Sequence, residues 1–120
     1  MTELVRVEFD ERDDVVLARV FGELDIAGAG RIGSEIGEAV PASARGLVVD
    51  LTGLEFIDSS GVSMLFRLVR RLSARRQSIA VVSRPSGPVA RVLEIVEFEN
   101  AAPVEESVDD AVAGIRGQGA

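Results

Sequence analysis

Side chains suited to reaction or to phosphate handling fall in three places along the 120-residue chain. The first is Asp58-Ser59-Ser60-Gly61, between Phe56-Ile57 and a run whose apolar residues recur at helical spacing. A hydroxyl at the start of a helix has two uses. It accepts a hydrogen bond from a free backbone N–H as a cap, or it carries phosphate, because first-turn N–H groups and the macrodipole stabilise added negative charge. The second place is Gly28-Ala29-Gly30-Arg31-Ile32-Gly33, which spells G-x-G-x-x-G, with Asp50 seventeen residues beyond it. A dinucleotide loop needs its first glycine directly at a strand end, and Gly22 to Ala27 intervene, so no dinucleotide is expected there. The third is Asp13 and Asp14 with Asp50, the residue types of a magnesium-binding carboxylate cluster in which one aspartate accepts phosphate. Such a cluster also needs a lysine on the phosphoryl group, and the chain has none. Asp13-Asp14 reads instead as a solvated turn.

Composition narrows the chemistry further. There is no Cys, His, Lys, Trp or Tyr. Thiol nucleophiles, disulfides, structural zinc and imidazole bases are therefore excluded, as are Schiff bases and the lysine of a phosphate-binding loop. No catalytic residue, no metal site and no cofactor are expected. Net charge is −7 and all thirteen cations are arginine, which disfavours nucleic acid as a partner. The charges are segregated. Arg67, Arg70, Arg71, Arg75 and Arg76 crowd into ten residues, whereas six carboxylates lie between Glu3 and Asp14 and seven between Glu94 and Asp110. A basic helix on an acidic body points to oriented protein contacts.

The elements that must hold these residues follow from periodicity. Leu4 to Phe9 alternates and Val15 to Phe21 is β-branched, so both are expected as strands joined by a polar hairpin over Asp10 to Asp14. Gly22-Glu23-Leu24-Asp25 is expected as a turn. Ile32, Ile36 and Val40 mark a helix stopped by Pro41, with a late start or a mobile first turn because four glycines between 28 and 37 weaken it. Leu47 to Leu51 and Ile79 to Ser83 read as strands buried on both faces. Val62, Leu65, Val69 and Leu72 define an amphipathic helix over about Ser60 to Ala74. A further helix spans Pro88 to Val96, with Val89, Val92, Leu93 and Val96 inward, then a poor edge strand covers Ala101 to Val104 and a last helix Ser107 to Ile115. The sum is an α/β fold: a mixed sheet of about five strands with an N-terminal hairpin and about four helices packed mainly on one side. One domain over residues 1–116 and a disordered tail over 117–120 are expected.

Taken together and in this order, Gly22-Glu23-Leu24-Asp25 after a strand, Leu47-Val48-Val49-Asp50-Leu51, and Phe56-Ile57-Asp58-Ser59-Ser60-Gly61-Val62 resemble the STAS domain of anti-sigma factor antagonists. The resemblance runs over nearly the whole chain, and Asp-Ser-Ser-Gly is its most specific part. It implies a mixed-sheet STAS fold and the function of an anti-anti-sigma factor, which binds an anti-sigma factor and so frees a sigma factor. In that family the partner is a serine protein kinase that phosphorylates the first serine of the pair, here Ser59, and a serine phosphatase reverses it. The implied partner-binding residues are Glu23 and Asp25 of the turn with Asp58, Ser59, Ser60 and Gly61. Ile26-Ala27-Gly28 depart from the polar residues that often follow that aspartate in the family, which implies a partner surface of its own.

Two other classes share these residues. The same fold serves as a regulatory module of anion transporters, as a stressosome component or as a lipid-transport accessory subunit. An enzyme reading, nucleotide hydrolysis at Asp25, Asp50 and Ser59, has neither His nor Lys to work with. The Met-Thr-Glu start lacks a basic segment followed by an apolar one, so no signal peptide is expected and the cytoplasm is the expected compartment. No membrane contact and a monomeric state complete the expectation.

Overall fold

Alternating apolar residues at the start of the chain build a long hairpin. In the computed structural model, which describes residues 4–117, β1 (Val5–Arg12) and β2 (Val15–Leu24) pair antiparallel with Arg12 opposite Val15. The turn is thus Asp13-Asp14 alone, tighter than the expected Asp10 to Asp14. Asp13 takes φ 59, a left-handed conformation that a short polar side chain tolerates.

From β2 the sheet continues in parallel. β3 (Gly46–Asp50) lies beside β2, and β5 (Ser78–Val82) beside β3. β6 (Val104–Glu105) closes the outer edge, giving the order β1-β2-β3-β5-β6. All five residues of β3 are buried, because helices cover both faces of the parallel centre. α1 (Ala29–Ala39), α2 (Ser59–Ala74) and α3 (Pro88–Ile95) pack on one face through Ile32, Ile36, Leu65, Leu72 and Leu93. α4 (Val108–Gly117) covers the other, where Val112 and Ile115 meet Val15, Leu17 and Val48.

Where about five strands are expected, the described sheet has six: β4 (Leu54–Ile57) follows β3 in the chain and pairs with β2. Only Leu54 and Ile57 of it are buried, so its four residues carry no period-two alternation. Gly22, Glu23 and Leu24 also correct the expectation of a turn, because they continue β2 and pair with β4. The partner of β2 changes from β3 to β4 between Arg19 and Gly22, and the pairing with β4 then shifts register between Gly22 and Glu23. Gly22 has φ 99, and a Cβ there would fall 1.9 Å from the Leu4 carbonyl oxygen, so only glycine lets β2 bend at that point.

α1 begins at Ala29 with no late start, since the Asp25 turn feeds it and Gly33 and Gly37 pack against Met64 and Arg71 of α2. Val96 lies beyond the end of α3 and is 37% exposed rather than inward. The edge strand is Val104–Glu105, displaced from Ala101 to Val104 because a 3-10 turn at Phe98–Asn100 buries Phe98 first. Gly117, placed in the tail by sequence, is the last residue of α4, and 118–120 lie outside the described residues.

Two glycines should respond in opposite ways to alanine. At Gly61 a Cβ would sit 2.8 Å from the Leu24 carbonyl oxygen and 2.7 Å from Ile57, so Gly61→Ala should lower unfolding free energy by about 1–3 kcal/mol. At Gly30 nothing lies within 4 Å, and Gly30→Ala should raise it by roughly 0.5–1 kcal/mol. Urea unfolding measures both. Destabilisation by Gly30→Ala would contradict the packing described.

Candidate functional site

The candidate site forms where β2 and β4 end side by side. Glu23 lies opposite Phe56 and Leu24 opposite Ile57, so the chain leaves the sheet twice at one edge. One exit is the Asp25 turn into α1, the other the Asp58 entry into α2. They are tied together: the Asp58 N–H donates to the Leu24 carbonyl at 3.2 Å.

Each exit is organised by an aspartate. Asp25 Oδ1 accepts from the Ala27 N–H at 3.0 Å. Its carbonyl accepts from Gly28 and Ala29 at 3.1 and 2.8 Å, folding the turn back on itself before α1. Asp58 is the N-cap of α2: Oδ1 accepts from the N–H groups of Ser60 at 2.9 Å and Gly61 at 3.2 Å. The cap and the candidate phosphate carrier are therefore different residues. Asp58 satisfies the first-turn donors, and Ser59, the first residue of the helix, is exposed. Among the described residues no hydrogen bond engages the Ser59 hydroxyl. Ser60, one step further in, is half-buried. Gly61 is buried against Leu24 and Ile57, and what it contributes is the close seat of the first turn of α2 on the sheet.

Charge on this edge is negative. Glu23 and Asp25 belong to the first exit and Asp58 to the second, all half-buried, and among the described residues none of the three is in an ion pair. Two apolar side chains flank the acids: Ile26 is 81% exposed and Phe56 44%. Sequence reading singled out Ile26 as a departure and did not include Phe56. The only sequence signal for Phe56 is an aromatic residue directly before the Asp-Ser-Ser-Gly segment.

The other acidic residues do structural work elsewhere. Asp13 and Asp14 pair with Arg116 at 3.2 Å and Arg45 at 3.1 Å at one end of the sheet. Asp50, at the other end of β3, accepts from the Thr52 N–H and hydroxyl at 2.9 and 2.8 Å. Five residues of strand, about 16 Å, separate the two groups, and among the described residues no three carboxylates gather as a metal site. The glycines of G-x-G-x-x-G lie within or next to α1 rather than in a strand-to-helix loop. Nor is any helix among the described residues long and apolar enough to cross a membrane.

Residues 6–111 match the STAS domain family. The chain belongs to that family. Among its relatives, the anti-sigma F factor antagonist of Lysinibacillus sphaericus is 29% identical over 116 residues, covering 92% of this chain and 95% of that one. The anti-sigma-F factor antagonist RsfB of Mycobacterium tuberculosis is 26% identical over 113 residues, covering 94% and 91%. The crystal structure of an anti-sigma factor antagonist from Mycobacterium paratuberculosis superposes with a TM-score of 0.83 at 27% identity, covering 93% of this chain and 94% of that one. This STAS domain thus carries the sheet order, the helix placement and the Asp-Ser-Ser-Gly entry described above.

Separation of cap from hydroxyl makes a stability prediction. Asp58→Ala should cost about 1 kcal/mol of unfolding free energy, whereas Ser59→Ala should change it by less than about 0.5 kcal/mol. Chemical denaturation of the two variants compares them directly. A larger loss in Ser59→Ala than in Asp58→Ala would mean that the serine is the cap.

Proposed function

We propose that this STAS domain is an anti-sigma factor antagonist whose docking face is the edge formed by the Asp25 turn, the Phe56–Asp58 segment and the start of α2. The observation that carries the reading is the exposed, uncommitted Ser59 hydroxyl on a helix already capped by Asp58. In the unphosphorylated state Ile26 and Phe56 supply apolar contact and Glu23, Asp25 and Asp58 face basic groups of an anti-sigma factor. That partner is a serine kinase. It brings the ATP, the magnesium and the base, and this chain brings the acceptor.

Transfer of the γ-phosphoryl group forms a bond from Ser59 Oγ to phosphorus, breaks the bond to ADP, and passes the hydroxyl proton to the kinase base. The product adds about −1.5 to −2 charge at pH 7. Beside three carboxylates this charge repels acidic partner groups and must be desolvated on docking, so binding weakens. The start of α2 tolerates it, because the macrodipole favours an anion there. Phosphorylation therefore switches binding while the fold persists, and a serine phosphatase resets it. The chain acts as a cytoplasmic monomer, without enzymatic activity of its own.

Mass spectrometry after incubation with ATP, magnesium and each candidate anti-sigma kinase from the same genome tests the acceptor. Phosphate on Ser59 is expected. Phosphate on Ser60 alone, with Ser59→Ala still modified, would overturn the assignment. Ser59→Asp should weaken partner binding with little change in Tm, and Ser59→Ala should bind constitutively.

Asp25 separates a structural from a recognition role. Asn keeps the acceptor that holds the Ala27 N–H, so Asp25→Asn should leave Tm nearly unchanged. Removing the charge should lower affinity for the anti-sigma kinase about tenfold, roughly 1.4 kcal/mol, and slow phosphorylation of Ser59. Equal affinity and equal rate in the two proteins would remove Asp25 from the docking face.

A further inference from the structure

Arginines in this molecule divide into two populations. Arg6, Arg12, Arg19, Arg31, Arg45 and Arg116 each meet a carboxylate within 4 Å. Among the described residues the other seven do not, although the chain holds 20 acids, and five of the seven lie on and just after α2. Three of the five, Arg67, Arg71 and Arg75, recur every fourth residue and form a rail along one side of the helix. The rail faces α1. Arg71 lies against Gly37, and Arg75 donates to the Val40 carbonyl at 3.4 Å.

Between the rail and α1 runs an open groove of about 380 Å³, floored by Met64 and Leu68 and edged by Gly30, Gly33 and Ser34. Its glycines are not equivalent. At Gly33 a Cβ would meet Met64 at 2.7 Å and at Gly37 it would meet Arg71 at 2.3 Å, so helix packing accounts for both. At Gly30 it would meet nothing within 4 Å. A helical glycine without a packing partner lowers helix stability and leaves the backbone of α1 open to close approach from the groove side.

We infer that the α1–α2 groove is a second docking surface, separate from the Ser59 edge, that takes an acidic helical segment of a protein partner. Its carboxylates, one turn apart, would meet Arg67 and Arg71, whose spacing along α2 is about 6 Å, while a small or apolar side chain settles over Gly30. Charge complementarity selects an acidic peptide: among the described residues these arginines meet no carboxylate, and a net charge of −7 works against a long polyanion that must pass the rest of the surface. Arg67 stands about 12 Å along the helix from Ser59, so the two surfaces are distinct.

The probe is a fluorescein-labelled helical peptide of Ala, Leu and Glu with glutamates four residues apart, followed by fluorescence polarisation at low ionic strength on the full chain. Arg67→Gln/Arg71→Gln keeps most of each side-chain stem and removes both charges; it should lower affinity at least tenfold. Gly30→Leu, which fills the groove and leaves every charge in place, should do the same. The control Arg84→Gln/Arg91→Gln, which removes two other arginines without a carboxylate partner among the described residues, should stay within twofold. Circular dichroism establishes that each variant is folded. Unchanged binding in Gly30→Leu, or equal losses in the two arginine pairs, would mean diffuse charge attraction and overturn the groove. A loss in Ser59→Asp as large as in the Arg67/Arg71 variant would place the peptide on the Ser59 edge and overturn it also. Preference for a short single-stranded RNA over the peptide, lost in the same variants, would assign the surface to nucleic acid instead.

Discussion

One carboxylate oxygen, Asp58 Oδ1, fixes the geometry on which the candidate site depends. By accepting from two first-turn amides it satisfies donors that would otherwise compete for any nearby hydroxyl. Ser59 is left at the helix start with its side chain outward. If the serine were the cap, phosphorylation would remove the cap together with the hydroxyl, and the switch would act on folding. With the aspartate as cap, added charge falls beside a helix end already closed and already favourable to anions. Under the proposed function, this division of labour between adjacent residues lets a modification change a surface and spare the fold.

That cap is itself placed by the sheet. Gly22 bends β2 away from β3 so that its last residues pair with β4, and the Leu24 carbonyl then receives the Asp58 N–H. Gly61 lets α2 approach the same carbonyl. Both glycines meet backbone closely, so neither position accepts a side chain without movement of the main chain. The consequence reaches function through geometry: the Asp25 turn and the Ser59 turn share one edge because two strands end together there. Charge separation follows the same axis. Acids gather around the start of α2, and arginines without a carboxylate partner among the described residues line its middle and end, so one helix presents opposite signs to whatever docks on either part.

Legibility of these features in the sequence follows their physics. β3 and β5 were readable because strands covered on both faces leave an apolar run, and α2 because a surface helix leaves an amphipathic one. β4 was not, since only its terminal residues Leu54 and Ile57 are buried. Gly22-Glu23-Leu24 has turn chemistry, yet it is strand, because the pairing of β2 with β4 is a tertiary contact with no local signature. The resemblance to the STAS family supplied the grouping of Asp25 with Ser59. Composition and spacing contributed the helix-start placement of Ser59, but could not say whether Asp58 or a serine caps α2, since each is a good N-cap. Phe56 escaped because exposure depends on what packs above a strand.

The central claim is that phosphate on Ser59 changes docking and leaves the fold intact. Native-state hydrogen exchange of the core amides of α2, such as Leu65 and Leu68, measured on the unphosphorylated and fully phosphorylated protein alongside calorimetric binding to the anti-sigma factor, tests both halves on the same samples. The account predicts global opening free energies equal within about 0.5 kcal/mol and an affinity lowered at least tenfold. Protection in α2 that falls by as much free energy as the binding does would show a switch that works by loosening the helix, and would contradict it.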